Sequence, residues 1–226
     1  MVDASETIGG EANFELVKQF VKSVFHSFWK SGGVRYGLVV FGNDDAKVVF
    51  TFGQYASITQ VDSAVDGVTL MNGTCNAGVA LSKCHNDLFA GISRRPRALL
   101  VVIAGRSFDG VSSGAASLKL NGVKITVIGI GGGVVHSQLA DMAYPSSYVL
   151  TSPSFDHLDA IAGYAFSVCS PGKDFLTLTF CVSDDGNECN LTLEALGDVM
   201  YIKSVKDYIL KYLCIWSIYK DLFSLE

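Results

Sequence analysis

Apolar positions along the chain switch between a helical and a strand period. Phe14, Val17, Val21, Val24 and Phe28 recur at steps of three and four, the stripe of an amphipathic helix from about Glu11 to Lys30 that Ser31-Gly32-Gly33 ends. The apolar run VRYGLVVFG then meets AKVVFTF across Asn43-Asp44-Asp45, which predicts a hairpin with a tight turn. Ile58, Val61, Ala64 and Val65 predict a short helix within Gln54 to Asp66, and the glycine- and Asn-rich segment Gly67 to Asn76 reads as a loop. From Ala77, residues Ala80, Leu81, Cys84 and Leu88 share a helical face. After Arg94-Arg95-Pro96, ALLVVIAG is apolar on both sides, as a buried parallel strand requires. A weak helix over Ser113 to Leu120, the strand VKITVIGIG, a helix from about Val135 to Met142, a strand at SYVL and a helix from Phe155 to Val168 continue the alternation.

Strands alternating with helices imply right-handed crossovers onto a mostly parallel sheet covered on both faces, a doubly wound α/β domain over residues 1–170. Past Cys169-Ser170-Pro171-Gly172 the character changes. DFLTLTFCV alternates like a half-exposed strand and CNLTLEAL returns across the turn SDDGNE, so residues 171–226 read as an appended hairpin-and-helix extension or the start of another domain. Charges at Lys203, Lys206, Asp207, Lys211, Lys220 and Asp221 exclude a membrane span from the last stretch.

Composition sharpens this picture by exclusion. The chain has 226 residues, 49% of them hydrophobic and 17% charged, ample apolar area for a core and unlike a disordered segment. A net charge of -5 without like-charge runs gives no electrostatic footprint for nucleic acid. The six cysteines form no CxxC pair. His26, His85, His136 and His157 lie on separate elements with no zinc spacing. Ile128-Gly129-Ile130-Gly131-Gly132-Gly133 lacks dinucleotide-loop spacing, and no phosphate-loop, GxSxG or Cys/His nucleophile pattern occurs. No enzymatic chemistry rises from these residues.

Ligands of open α/β sheets gather beyond the carboxyl ends of the strands. Two loops there offer hard oxygen donors: Asp3-Ala4-Ser5-Glu6-Thr7, and Gly73-Thr74 ahead of another helix. A carboxylate and several hydroxyls from separate loops suit a small divalent cation such as Mg²⁺. The same hydroxyls suit helix caps equally well.

With these residues in view, the chain resembles the von Willebrand factor A domain family over roughly Val2 to Cys169. The resemblance rests on Asp3-x-Ser5-x-Thr7, the helix starting at Asn13-Phe14, the segment Arg35 to Phe41, Gly73-Thr74-Cys75-Asn76-Ala77-Gly78, the strand end VVIAGRSFDG, and Ile128-Gly129-Ile130-Gly131. It implies a Rossmann-like fold and a metal-ion-dependent adhesion site with Asp3, Ser5, Thr7 and Thr74 as metal positions. It also implies a non-enzymatic interaction module, extracellular or at the cell surface. Such a module would bind a protein ligand, for example a matrix component such as collagen, around Asp3, Ser5, Thr7, Thr74 and Asp109. The resemblance further implies that Cys169, at the domain end, ties to a flanking segment.

The chain departs from the family pattern twice. Thr7 replaces a serine and keeps the hydroxyl, whereas the strand-end aspartate position is Ala104. Loss of such an outer partner typically weakens a metal site by about 10–100-fold, so the implied Mg²⁺ site is weak or lost. Asp109 lies five residues further on. Only Met1 and Val2 precede Asp3, so the central strand reads as truncated, the mark of a fragment of a longer secreted or surface protein. YLCIWSIY is the other candidate strand for that place. Competing functional readings are an α/β enzyme binding a nucleotide or small molecule in the same crevice, and a truncated relative without function.

Asn72-Gly73-Thr74 and Asn190-Leu191-Thr192 are sequons, which place glycans on Asn72 and Asn190 in a secreted protein. Cys75 and Cys84 lie too far apart along one helix, about 13 Å, to pair, and Cys84 reads as a buried thiol. Cys181 and Cys189 flank the predicted turn, where a bridge across the hairpin is one option.

Overall fold

Val2 and Asp3 form the innermost strand of a six-stranded sheet. The computed structural model describes residues 1–31, 34–92, 96–162, 176–184, 187–196 and 199–204. By contacts the chain divides into two units, Met1–Cys169 and Ser170–Glu226. In chain order the first contains β1 (Val2–Asp3), α1 (Glu11–Ser31), β2 (Leu38–Gly42), β3 (Asp45–Phe50), α2 (Ile58–Asp66), α3 (Ala77–Lys83), β4 (Arg97–Ile103), α4 (Val111–Leu120), β5 (Val123–Ile130), α5 (His136–Met142) and β6 (Val149–Ser152). The sheet order is β3-β2-β1-β4-β5-β6, parallel except for β3, which returns antiparallel from β2. This is the doubly wound α/β fold the alternation predicts.

Period-two side-chain alternation divides the core into two layers. Val101 and Ile103 of β4, with Phe41, Leu81, Leu118, Ile125 and Leu139, pack on the face covered by α3, α4 and α5. Val102 of the same strand points the other way, into Phe14, Phe20, Val40, Phe50 and Ile128 under α1 and α2. Strands buried on both faces explain the continuous apolar runs.

At the sheet's centre, Val2 lies opposite both Val40 and Val102, and Asp3 opposite Phe41. Val102 N donates to Met1 O at 3.0 Å and the Met1 amine donates to Leu100 O at 2.8 Å, which extends the pairing beyond β1. The first three residues therefore fill the central place, and YLCIWSIY lies outside the described residues.

Several elements differ in extent from the sequence expectation. The second helix begins only at Ile58 because Ser57 and Gln60 close a capping box there. The third continues past Lys83 as a widened π turn, Cys84–Phe89. The strand expected at SYVL sits further on, at Val149–Ser152, where it pairs with Val127 to Ile130. Phe155–His157 forms a tight turn leading into helical residues 158–162, and the rest of the expected helix lies outside the described residues.

In the second unit, β7 (Leu176–Asp184) and β8 (Asn187–Leu196) form the expected hairpin, and β9 (Val199–Ser204) adds a third antiparallel strand. The register sets Cys181 opposite Asn190 and Cys189 opposite Val182. Cys169 lies outside the described residues. Among the described residues, no helix is long and apolar enough to cross a membrane.

Candidate metal and ligand face

The end of β1 delivers Asp3 into a fully buried position at the carboxyl edge of the sheet. Its Oδ1 accepts from Ser5 N at 2.9 Å and from Ser5 Oγ at 2.6 Å. Its Oδ2 accepts from Thr7 Oγ1 at 2.7 Å and from Ala104 N at 3.1 Å. A buried carboxylate needs this many donors, yet among the described residues no cationic side chain pairs with it. The tight turn Glu6–Ile8, ended by left-handed Gly9, curls the loop so that Ser5 and Thr7 both face Asp3.

The hydroxyl pair is the informative feature. A hydroxyl has one proton, and Ser5 and Thr7 each direct theirs to Asp3, so their remaining lone pairs only accept. The two oxygens lie 2.9 Å apart. An octahedral Mg²⁺ with ligands at about 2.1 Å has neighbouring ligand oxygens about 3.0 Å apart, so this pair fits two adjacent ligands of such a cation. Ser5 also caps the Glu6–Ile8 turn, accepting from Thr7 N at 3.4 Å. Capping and cation binding are compatible here because they use different lone pairs.

Thr74 comes to this loop through its neighbour, since Glu6 N donates to Gly73 O at 3.1 Å. It does not cap α3: Ser107 Oγ accepts from Ala77 N at 2.9 Å, and Asp109 accepts from Gly78 N at 2.9 Å and Val79 N at 2.7 Å. Asp109 is therefore turned toward the start of α3, held also by the Ser107 hydroxyl at 2.6 Å. Gln138 clamps the same loop from α5, accepting from Ser107 N at 3.0 Å and donating to Ser107 O at 2.8 Å. Beside Asp109, Phe108 stands 67% exposed with Arg106 over its ring at 6.0 Å.

The sequence did not mark Asp44 as part of this face. Asp44, on the β2–β3 turn, accepts from the Thr74 hydroxyl and from Asn76 Nδ2. Cys75 is a fully buried free thiol, pushed up by burial and by the negative charge of Asp3. Cys84 is likewise buried and free, as its place on the apolar helical face predicts. Of the sequons, Asn72 is exposed beside Thr74, and Asn190 falls within β8. Among the described residues no group of three or more His, Cys, Asp or Glu is placed to hold a metal.

The von Willebrand factor type A domain model matches residues 1–163 of this chain. The chain belongs to that family. Human Matrilin-4 is 34% identical over 151 residues, 63% of this chain and 24% of Matrilin-4. The mouse Collagen alpha-6(VI) chain is 29% identical over 181 residues, 77% of this chain and 8% of the collagen chain. The chain thus spans about a quarter or less of these relatives. Among solved structures, proximal thread matrix protein 1 from the mussel byssus superposes with a TM-score of 0.70 at 25% identity, covering 77% of this chain and 48% of the mussel chain. A second structure of that mussel protein is described with a zinc-occupied metal-ion-dependent adhesion site; at 24% identity its likeness to this A domain is one of fold.

Proposed function

We propose that residues 1–170 form a non-enzymatic interaction module, extracellular or at the cell surface, that binds a protein ligand in a Mg²⁺-dependent manner through the face bearing Asp3, Ser5, Thr7, Thr74 and Asp109. The observation that carries this reading is the Ser5 and Thr7 hydroxyl pair, 2.9 Å apart with both protons committed to Asp3. Ser5, Thr7 and Thr74 hold the cation, and Asp3 fixes the first two hydroxyls and supplies negative charge. A Mg²⁺ held by these residues would let an oxygen of the partner, such as a carboxylate, coordinate it. Ala104 in place of an acid weakens the site by about 10–100-fold relative to a complete set of outer partners. Asp109 and Ser107 hold the start of α3 beside the site, and Phe108 gives the partner an exposed aromatic contact.

A collagen chain and a thread matrix protein among the similar proteins support a matrix ligand of the collagen type. Residues 171–226 are an extension, and glycans on Asn72 and Asn190 suit a secreted setting. A glycan on Asn72, next to Thr74, limits the size of the partner that reaches the metal loop. The test is retention of the full chain on immobilised collagen in Mg²⁺ and in chelator, with Ser5→Ala alongside. Retention lost on chelation and in Ser5→Ala is expected. Retention indifferent to both overturns the metal dependence, and absence of retention in Mg²⁺ overturns collagen as the ligand.

A further inference from the structure

We infer that Asp44, on the β2–β3 turn, is the acidic partner of Thr74 in the cation site and takes over the charge that position 104 lacks. The inference rests on the metal-dependent reading above and extends it to a residue outside the family's motif.

Each hydroxyl of the site is backed by a carboxylate. Asp3 takes the protons of Ser5 and Thr7 but not that of Thr74. The Thr74 hydroxyl donates instead to Asp44 Oδ1. Asp44 thus does for Thr74 what Asp3 does for the other two: it holds the proton away and leaves lone pairs that only accept. Its Oδ2 takes no hydrogen bond among the described residues, so negative charge remains uncommitted at this edge. Asp3 and Asp44 together carry two negative charges, matching a divalent cation.

Backbone packing fixes this arrangement. A Cβ built on Gly73 would lie 2.6 Å from Asn43 Cα, so the Gly73-Thr74 loop lies directly on the β2–β3 turn and only glycine permits the approach. Gly73 O also accepts from Glu6 N at 3.1 Å. The turn, the Thr74 loop and the Ser5 to Thr7 loop are therefore one packed assembly.

Asn76 supplies an independent sign of a ligand. Its Nδ2 donates to Asp44 Oδ1 at 2.5 Å and lies 3.4 Å from Thr74 Oγ1, while its Oδ1 is buried with no hydrogen-bond partner among the described residues. Exchanging the amide nitrogen and oxygen would set an oxygen against the Asp44 carboxylate, so the orientation is the favourable one. A buried acceptor without a donor is disfavoured, and a water held by a cation at this loop would be such a donor.

The test is calorimetric titration of the full chain with MgCl₂, together with thermal melts in Mg²⁺ and in chelator. The variants are Asp44→Asn, Asp44→Gly and Asp45→Asn. Asp44 is the second of two left-handed residues in the turn, at φ 60° after Asn43 at φ 50°, so Asp44→Gly suits the backbone and keeps the fold. Asp44→Asn and Asp44→Gly are expected to weaken Mg²⁺ binding by about 10–100-fold, the usual effect of losing an outer partner. Asp45→Asn, which removes the same charge one residue away, is expected to leave binding near wild type. If wild type binds Mg²⁺ and both Asp44 variants bind equally well, the inference falls and the metal-dependent reading stands. An equal loss in Asp45→Asn also overturns it, because general charge then explains the effect. If wild type binds no Mg²⁺, the reading and the inference fall together.

Discussion

Gly105 lies against Thr7 so closely that a Cβ built on the glycine would stand 2.3 Å from the threonine Cγ2 and 2.6 Å from its Cβ. The strand-end loop and the Asp3 loop are thus packed backbone to side chain, and the methyl that distinguishes Thr7 from serine occupies the contact. Gly105→Ala is expected to cost about 1–3 kcal/mol, as overpacking in a close-packed site does. Combining it with Thr7→Ser removes the nearest clashing carbon and should recover part of that loss, while the remaining Thr7 Cβ contact keeps recovery incomplete. Urea unfolding of the two single variants and the double variant reads the coupling, expected at about 0.5–3 kcal/mol; strict additivity would show that the loops do not touch.

Asp109 accepts from Gly78 N at 2.9 Å and Val79 N at 2.7 Å, so it acts as the side-chain cap that Asn76, at the N-cap position, does not supply. Asp109→Ala leaves those N–H groups without their acceptor and is expected to cost about 0.5–2 kcal/mol. The loss should be the same in Mg²⁺ and in chelator. A loss seen only with Mg²⁺ would instead place Asp109 in the cation site.

The alternation of helices and strands was legible because strands buried on both faces give unbroken apolar runs while the covering helices keep a three-to-four step. Asp3, Ser5 and Thr7 were legible because one short loop holds them all. Asp44 was not, since its bond to Thr74 spans 30 positions and its own neighbourhood, Asn43-Asp44-Asp45, reads only as a turn. Asp109 was visible as a residue of this face, but its work at the start of α3 depends on a contact across 31 positions. The start of a helix was not legible where local closure intervened, as where the Ser57 and Gln60 capping box sets the beginning of α2 at Ile58.

Stability at alkaline pH follows from buried acids that are neutral when protonated. Burial pushes the Cys84 thiol up to about 11 and the Tyr36 phenol up to about 12, from ordinary values of 9.0 and 10.0. The Cys75 thiol is raised as well, by burial and by the charge of Asp3. Each group holds its proton more tightly in the folded chain, so its stabilisation is complete below the unfolded value and is lost as pH rises through the folded one. The melting temperature should therefore begin to fall near pH 9 and continue falling through pH 12. Cys84→Ala should flatten the part between pH 9 and 11 after its own packing loss is subtracted. A melting temperature that rises across this window would contradict the sign.

Phe108 separates binding from stability. Phe108 is 67% exposed, with Arg106 over its ring at 6.0 Å, and so lies outside the core. An exposed side chain of this kind typically contributes within about 0.5 kcal/mol to folding, and Phe108→Ala should melt with wild type. At an interface, by contrast, an aromatic beside an arginine is a strong anchor, whose truncation costs about 2 kcal/mol or more, a loss of about 30-fold in affinity. On immobilised collagen in Mg²⁺, Phe108→Ala is therefore expected to be retained far more weakly than wild type while unfolding at the same temperature. Leu120, 89% exposed at the far end of α4, serves as the control: Leu120→Ala removes a comparable apolar surface away from the metal loop and should bind as wild type. Equal retention of both variants would move the contact surface off this face.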